Sequence, residues 1–274
     1  MNRRVVVTGT GVITPVGNDV QTYWKNLLDA VCGIEVVTSI PTDDLPVKIA
    51  GEVKDFNPAD YEIETPFARK QDRFTLCAVA AAWQAMKESG LNAAEGGNID
   101  PFRLGVYVGS GIGGFSTQMR ETEKLLNEGP KWVSPLFIPT MISNIAAGNL
   151  AIRHNARGAC VPVVTACATS THNIGEAYRA IKHGYADAII AGGSEAVVMP
   201  LAIAGFANAK AAYEHGENPF VMGTYRVANG VVKGKKQVAE SVAKWIPKMP
   251  KDGEFAVYVS YKTLPNSTDA ALYT

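Results

Sequence analysis

The sequence predicts an α/β fold, with a mostly parallel sheet layered with helices, followed by an incomplete β-rich segment. Three observations carry that expectation. Short β-branched or apolar runs recur at residues 4–8, 104–109, 161–165 and 186–191. The stretches between them place apolar residues at helical spacing, and strand-helix alternation of this kind builds a parallel sheet covered by helices. Near residue 211 the rhythm changes, and Trp245-Ile246-Pro247, Lys251-Asp252-Gly253 and an aromatic run at 255–261 take over. The chain is therefore expected to divide into 1–210 and 211–274.

The elements follow in order. The β-branched run 4–8 ends at Gly9 and reads as a buried strand closed by a turn, and 20–31 is helical in pattern. From Phe74 to Met86 the apolar positions recur at helical spacing, with Ala78 and Ala80, Ala81 and Ala82 small enough for a close neighbour, and Gly90 ends the helix. The strand at 104–109 runs into the glycine-rich loop 109–114, and a helix follows through Leu126. Residues 139–152 read as one helix with a small-residue face. After the strand 161–165, a helix starts close to Ala166 or Cys167 and runs to His183. The last strand of this series, 186–191, closes on Gly192-Gly193. Beyond 211, the turn Lys251-Asp252-Gly253 precedes a half-buried strand at 255–261.

Composition removes several classes of function. A chain of 274 residues can bury a sizeable core. Its 26 basic and 26 acidic residues cancel, which leaves none of the basic excess that a nucleic-acid or acidic-membrane binder needs. A hydrophobic content of 47% argues against disorder. The four cysteines, Cys32, Cys77, Cys160 and Cys167, form no C-x-x-C pair, so no metal site is expected, and they read as reduced thiols of a cytoplasmic chain. The first residues lack a signal-peptide pattern. The longest uncharged run, 158–175, is rich in Thr, Ser, Asn and His, so no membrane span is expected.

Two glycine-rich loops invite a nucleotide reading, and both fail it. Gly9-x-Gly11 has Thr14 where the dinucleotide fingerprint needs glycine, and 109–114 lacks the Lys-Ser/Thr of a phosphate loop. Tight turns account for the first loop; for the second, a turn competes with a substrate-lining role. The stronger signal is Val163-Val164-Thr165-Ala166-Cys167-Ala168-Thr169-Ser170. A cysteine between a buried strand and a helix N-terminus meets backbone N–H groups and the positive end of the helix dipole, which favour thiolate over thiol. The same N–H groups can hold the oxyanion that develops when that sulfur attacks a thioester. A single cysteine is, against this, more often a small core residue than a nucleophile.

The stretch 163–195, with Thr165-Ala166-Cys167-Ala168-Thr169-Ser170, His172-Asn173-Ile174-Gly175 and Ala191-Gly192-Gly193-Ser194-Glu195, resembles the active-site region of the β-ketoacyl-acyl-carrier-protein synthases, most of all the type II condensing enzymes of bacterial fatty-acid synthesis. Collinear support comes from Val5-Val6-Val7-Thr8-Gly9-Thr10-Gly11 with Thr14-Pro15-Val16-Gly17, from 109–114, and from Asn144-Ile145-Ala146-Ala147-Gly148. The resemblance covers about residues 3–210. It implies the N-terminal half of a thiolase-like fold in which Cys167 is acylated by an acyl-carrier thioester, and a decarboxylated malonyl-carrier thioester then attacks the acyl group. It further implies that Ile112 lines and gates the acyl pocket, that Phe206 lies near it, and that Phe137 approaches the pocket of a partner subunit. For Phe137 and Phe206 ordinary core packing is an equal reading. Acyl-carrier protein is the implied partner, no cofactor or metal is implied, and 161–165 is implied to lie at a homodimer contact. Cys32, Cys77 and Cys160 read as structural; His172 matches a non-catalytic family position; His154, His183 and His215 read as surface or cap residues.

The resemblance also implies two histidines, a lysine and a glycine-phenylalanine oxyanion segment in the second half of such a synthase. None of these motifs occurs in this sequence. Residues from about 214 resemble instead a fragment of the golvesin or xanthan-lyase C-terminal-like β module, through Trp245-Ile246-Pro247, the run 253–261 and Leu264-Pro265-Asn266-Ser267-Thr268-Asp269. An artificial junction near 207–216 is the simplest explanation, and the chain as written is expected to lack condensing activity. Two alternatives stand beside this reading: a non-catalytic surface or carbohydrate-associated binding protein acting through the β-rich tail, and another thiolase-fold enzyme that uses coenzyme A.

Overall fold

Helices and short strands alternate along the computed structural model, which describes residues 3–208: α1 (Val20–Leu28), β1 (Ile34–Val36), β2 (Ile49–Gly51), α2 (Thr65–Ala68), α3 (Arg73–Ser89), β3 (Leu104–Gly109), α4 (Phe115–Asn127), α5 (Phe137–Met141), α6 (Ile145–Arg153), α7 (Thr169–Lys182), β4 (Ala188–Gly193) and α8 (Pro200–Asn208). They fall into two compact units, one of residues 3–24 and 53–197, the other of 25–52 and 198–208. The expected β-rich segment 211–274 and its turn and strand lie outside the described residues.

In the larger unit, β3 and β4 pair in parallel from Leu104 opposite Ala188 to Gly109 opposite Gly193. All six residues of β3 are buried, which happens when a parallel strand is covered on both faces. The side chains alternate accordingly. Leu104, Val106 and Val108 join Phe74 and Val79 of α3 and Ala146, Ala147 and Leu150 of α6 in one core, while Tyr107 faces the other way onto Ala177 and Ala180 of α7. Phe74, Leu104 and Leu150 have no exposed surface, and each such burial stabilises the fold by about 1.5–3 kcal/mol. The alanines expected to permit close helix packing are in place, with Ala78, Ala80 and Ala82 buried beside Ala146 and Ala147. Gly90 ends α3 as expected, at φ +64°, with its N–H donating to Met86 O.

The smaller unit was not legible in the sequence. There β1 and β2 pair antiparallel, with Ile34 opposite Gly51. Val37, Val47, Ala50 and Ile203 of α8 form its core. The Glu52 carboxylate accepts hydrogen bonds from the Thr38 N–H and hydroxyl and from the Ser39 N–H.

Five expectations need correction. Residues 4–8 form no ladder among the described residues, and Val6 and Val7 are exposed. Their β-branched composition suits a strand, but the adjoining backbone is fixed by a helix instead. The Thr10 N–H and hydroxyl donate to Glu88, the Val12 N–H donates to Gln84 Oε1, and the Gln84 amide donates to Val12 O. Gly9 and Gly11 are required for that approach rather than for a tight turn. A Cβ at Gly9 would lie 2.0 Å from Ala85 O, and one at Gly11 would lie 1.9 Å from Ala81 O. The single helix expected at 139–152 is two, α5 and α6, because the Met141 carbonyl accepts from Gly114 N (2.8 Å) and Ile142 turns extended at ψ 139°.

The strand expected at 161–165 reduces to one parallel bridge at Cys160, opposite Val106, and a hydrogen bond from Val161 N to Val106 O. It leaves the sheet because the Val163 N–H and C=O are both bonded to Asn173. The fourth strand starts two residues later than expected, at Ala188. No described helix is long and apolar enough to cross a membrane.

Candidate active site

Three chain segments end at the same edge of the larger unit: the loop after β3, the loop after β4, and the segment 160–165 that enters α7. The carboxyl ends of parallel strands are where open α/β sheets place ligands. Cys167 sits in the last of the three, in a 3-10 turn over Ala166–Ala168 that hands directly to α7. Its side chain is exposed. Ala166 adopts φ +50°, a left-handed conformation that disfavours a residue with a Cβ. Such strain persists only where the surroundings impose it.

Those surroundings are specific. Asn173, wholly buried one turn into α7, accepts from Val163 N at 2.8 Å and donates to Val163 O at 3.0 Å and Thr169 O at 2.9 Å. Thr169 Oγ1 accepts from Thr165 N at 2.9 Å, and the Ala168 N–H donates to Thr165 O. The residues just before Cys167 are thus tied to the first turn of the helix that follows it. A helix's first turn also leaves N–H groups without intrahelical partners.

Glycines let the three segments close on one another. A Cβ at Gly109 would lie 2.6 Å from Val163 O, 2.7 Å from Thr169 Cγ2 and 2.9 Å from Asn173 Nδ2. One at Gly193 would lie 3.0 Å from Ser170 Cβ. One at Gly111 would lie 3.3 Å from Ala166 O, so the loop that carries Ile112 rests against the residue before Cys167. Glu195 binds that loop to the end of β4. Its carboxylate accepts from Ser110 Oγ (2.8 Å) and Ile112 N (3.0 Å), and Ser110 Oγ accepts from Gly113 N (2.8 Å). Desolvation raises the Glu195 pKa above the ordinary carboxylate value, and these hydrogen bonds offset that only in part. Ser194 Oγ donates to Phe74 O and ties the loop after β4 to α3.

The expected site residues separate as follows. Ile112 is 43% exposed and its loop adjoins the Cys167 turn. Phe137 is half-buried at the start of α5, whose Met141 carbonyl receives the Gly114 N–H from the end of the same loop. Phe206 lies on α8 in the smaller unit and is 41% exposed, which is not core packing. Of the other cysteines, Cys77 is buried in α3 with its thiol pushed up to about 11 by desolvation, and Cys32 and Cys160 are exposed. Burial also raises the Cys160 thiol. His172 is exposed, and His154 and His183 cap the C-terminal ends of α6 and α7; His215 lies outside the described residues. Among the described residues no cluster of His, Cys, Asp and Glu could hold a metal ion.

Asn173, Thr169, Ser110 and Glu195 lie inside the family-like motifs, where sequence alone assigns them no role. One signal could have singled out Asn173. It shares a helix face with Ala177 and Ala180, four and seven residues on, so a polar amide stands where periodicity calls for a buried residue.

Comparison with known proteins points to one family. The profile of the family described as "Beta-ketoacyl synthase, N-terminal domain" matches residues 2–235, running past the division expected at 210. The 3-oxoacyl-(acyl-carrier-protein) synthase 2 of Staphylococcus aureus (strain COL) is 42% identical over 234 residues, covering 81% of this chain and 56% of the relative. That of Coxiella burnetii (strain RSA 493 / Nine Mile phase I) is 42% identical over 217 residues, covering 79% and 51%. Among solved structures, the ishigamide ketosynthase/chain length factor superposes with a TM-score of 0.67 at 28% identity, over 76% of this chain and 51% of that one. A type II polyketide ketosynthase solved in complex with its acyl-carrier protein gives 0.63 at 28% identity, over 77% and 56%. A beta-ketoacyl synthase from Burkholderia phymatum STM815 gives 0.63 at 26% identity, over 75% and 50%. The chain spans about half the length of the curated relatives it matches. Since the family's N-terminal domain profile covers most of the sequence, the chain belongs to the beta-ketoacyl synthase family.

Proposed function

We propose that Cys167 is the nucleophile of a 3-oxoacyl-acyl-carrier-protein synthase of type II, which elongates fatty acyl chains by decarboxylative Claisen condensation. The observation that carries this is an exposed cysteine on a strained turn, held by Asn173 and Thr169 where three loops meet. The names of the Staphylococcus and Coxiella relatives support the reaction, and the carrier-bound ketosynthase supports an acyl-carrier protein as donor.

The first step is acyl transfer. Cys167 Sγ attacks the thioester carbonyl, the bond to the carrier's sulfur breaks, and the carrier leaves as its thiol with the proton that Cys167 gives up. In the second step a malonyl-carrier thioester loses carbon dioxide. The resulting carbanion attacks the acyl carbonyl, and the Cys167 sulfur departs as leaving group. The chemistry draws on no metal or cofactor. Ile112 lines and gates the acyl site from the loop against Ala166. Phe206 contributes to the acyl pocket, and Phe137 reaches toward that of a partner subunit. The exposed Val161 and Val164 supply a homodimer contact, and the enzyme works in the cytoplasm.

Acyl transfer and condensation make different demands. Condensation needs donors for the enolate charge, and losing such a preorganised donor costs about 100- to 1000-fold in rate. Of this sequence's four histidines, His154 and His183 cap helices, His172 lies 3.7 Å from Glu176 on the surface of α7, and His215 lies outside the described residues. Because the second-half histidine, lysine and glycine-phenylalanine motifs do not occur in its sequence, we read the 274-residue polypeptide by itself as an acyl acceptor that does not condense. Incubation with dodecanoyl-acyl-carrier protein tests this: one dodecanoyl group is expected on the protein, none on Cys167→Ala, and no 3-oxoacyl product with malonyl-acyl-carrier protein. No mass gain refutes the nucleophile; a 3-oxoacyl product refutes the division of labour.

A further inference from the structure

The Glu195 carboxylate occupies a cradle. Its two oxygens take the Ser110 hydroxyl and the Ile112 N–H, and the Gly113 N–H reaches it through Ser110 Oγ. Successive backbone N–H groups of a loop that bends through a left-handed residue, here Gly113 at φ +83°, form a concave anion site. The fit leaves no slack, since a Cβ at Gly111 would stand 2.8 Å from Glu195 Oε2. Ile112 itself is too exposed for side-chain burial to fix its place.

We propose that Glu195 is a positioning residue that latches the loop 110–113, so that Ile112 is held beside the Cys167 turn and sets which acyl chains Cys167 accepts. The inference rests on the reading of Cys167 as the acylated nucleophile. Two features support it. The latched loop adjoins Ala166 at Gly111, so a shift of the loop reaches the residue next to the nucleophile. The latch joins the ends of β3 and β4, two rigid strands, and so fixes the loop against the sheet.

The test compares the full 274-residue chain with Glu195→Ala and Glu195→Gln, by two readouts. One is the rate of Cys167 acylation by hexanoyl- and by hexadecanoyl-acyl-carrier protein. The other is hydrogen exchange at the Ile112 and Gly113 amides. Loss of a charge-assisted hydrogen bond should speed exchange at Ile112 about tenfold or more in Glu195→Ala. The ratio of the two acylation rates should move about tenfold. Glu195→Gln, whose amide oxygen still accepts, should restore much of both. A role confined to stability would slow both donors alike and leave their ratio unchanged, which overturns the proposal, as does wild-type exchange at Ile112 in Glu195→Ala. If Glu195→Ala does not fold, Glu195→Gln carries the test, with a rate ratio shifted about twofold or more expected and an unshifted ratio overturning it. A wild-type chain that neither donor acylates refutes the Cys167 reading, and the exchange readout then decides the latch alone.

Discussion

Replacing Asn173 with alanine should cost more than any surface change in this protein, and the structure fixes the amount. The side chain is wholly buried and makes three hydrogen bonds. Thr169 O keeps its helical role when the amide is lost, but the Val163 N–H and C=O both lose their partner. They are partly buried, so water compensates in part, and each orphan costs about 1–1.5 kcal/mol. The cavity left by the amide adds about 1 kcal/mol, for a total of about 3–4 kcal/mol. Asn173→Asp should do no better, because it keeps an acceptor for Val163 N but sets a buried carboxylate against the Val163 and Thr169 carbonyls. Urea denaturation of the three proteins measures the cost, and dodecanoyl transfer to Cys167, slowed in both variants, reports the freed turn. A loss of stability under about 0.5 kcal/mol with unchanged transfer would refute the clamp.

Two further predictions use the same geometry. Gly109→Ala should destabilise by about 1–3 kcal/mol, since three atoms stand within 2.9 Å of the new Cβ. Gly175→Ala, with nothing within 4 Å, should stabilise α7 by about 0.5–1 kcal/mol. Thermal melts that rank the two the other way would contradict the close approach of β3 to α7. Glu121, whose side chain is 2% exposed, gives a pH dependence. The Ser134 backbone N–H, with Lys124 and Arg120, lowers its pKa from 4.5 to about 2. A lowered carboxylate pKa stabilises the fold above the unfolded value, and that contribution disappears as pH falls from about 4.5 through about 2. Asp187, lowered to about 2 chiefly by Arg103 and then Arg3, adds to the same window. Glu121→Gln should therefore be less stable than wild type at about pH 6 and close to it at about pH 2; an equal gap at both pH values, by urea titration, would disprove the assignment.

The layered core was legible because its physics is periodic. The alternation of Leu104, Val106 and Val108 with Tyr107 and the spacing of Phe74, Ala78 and Ala82 each answer to one repeat. Cys167, the proposed nucleophile, stood out from its place between an apolar run and a helix. What the sequence hid was nonlocal. Nothing local tells that Gln84 and Glu88 will satisfy the backbone at 10–12, or that Met141 will bond Gly114 and split a helix. The clamp by Asn173 reaches ten residues back along the chain, and the Glu195 latch joins residues 83 and 85 apart in sequence. The smaller unit escaped because strands of three residues carry too little pattern to register.

The central claim is that Cys167, alone among the four cysteines, is built to take an acyl group. Peptide mapping of the chain after limited reaction with dodecanoyl-acyl-carrier protein tests it directly. The account predicts the dodecanoyl group on the peptide holding Cys167, with Cys32 and Cys160 unmodified despite their exposure and Cys77 protected by burial. An acyl group on Cys32 or Cys160 at a rate equal to that on Cys167 would contradict it.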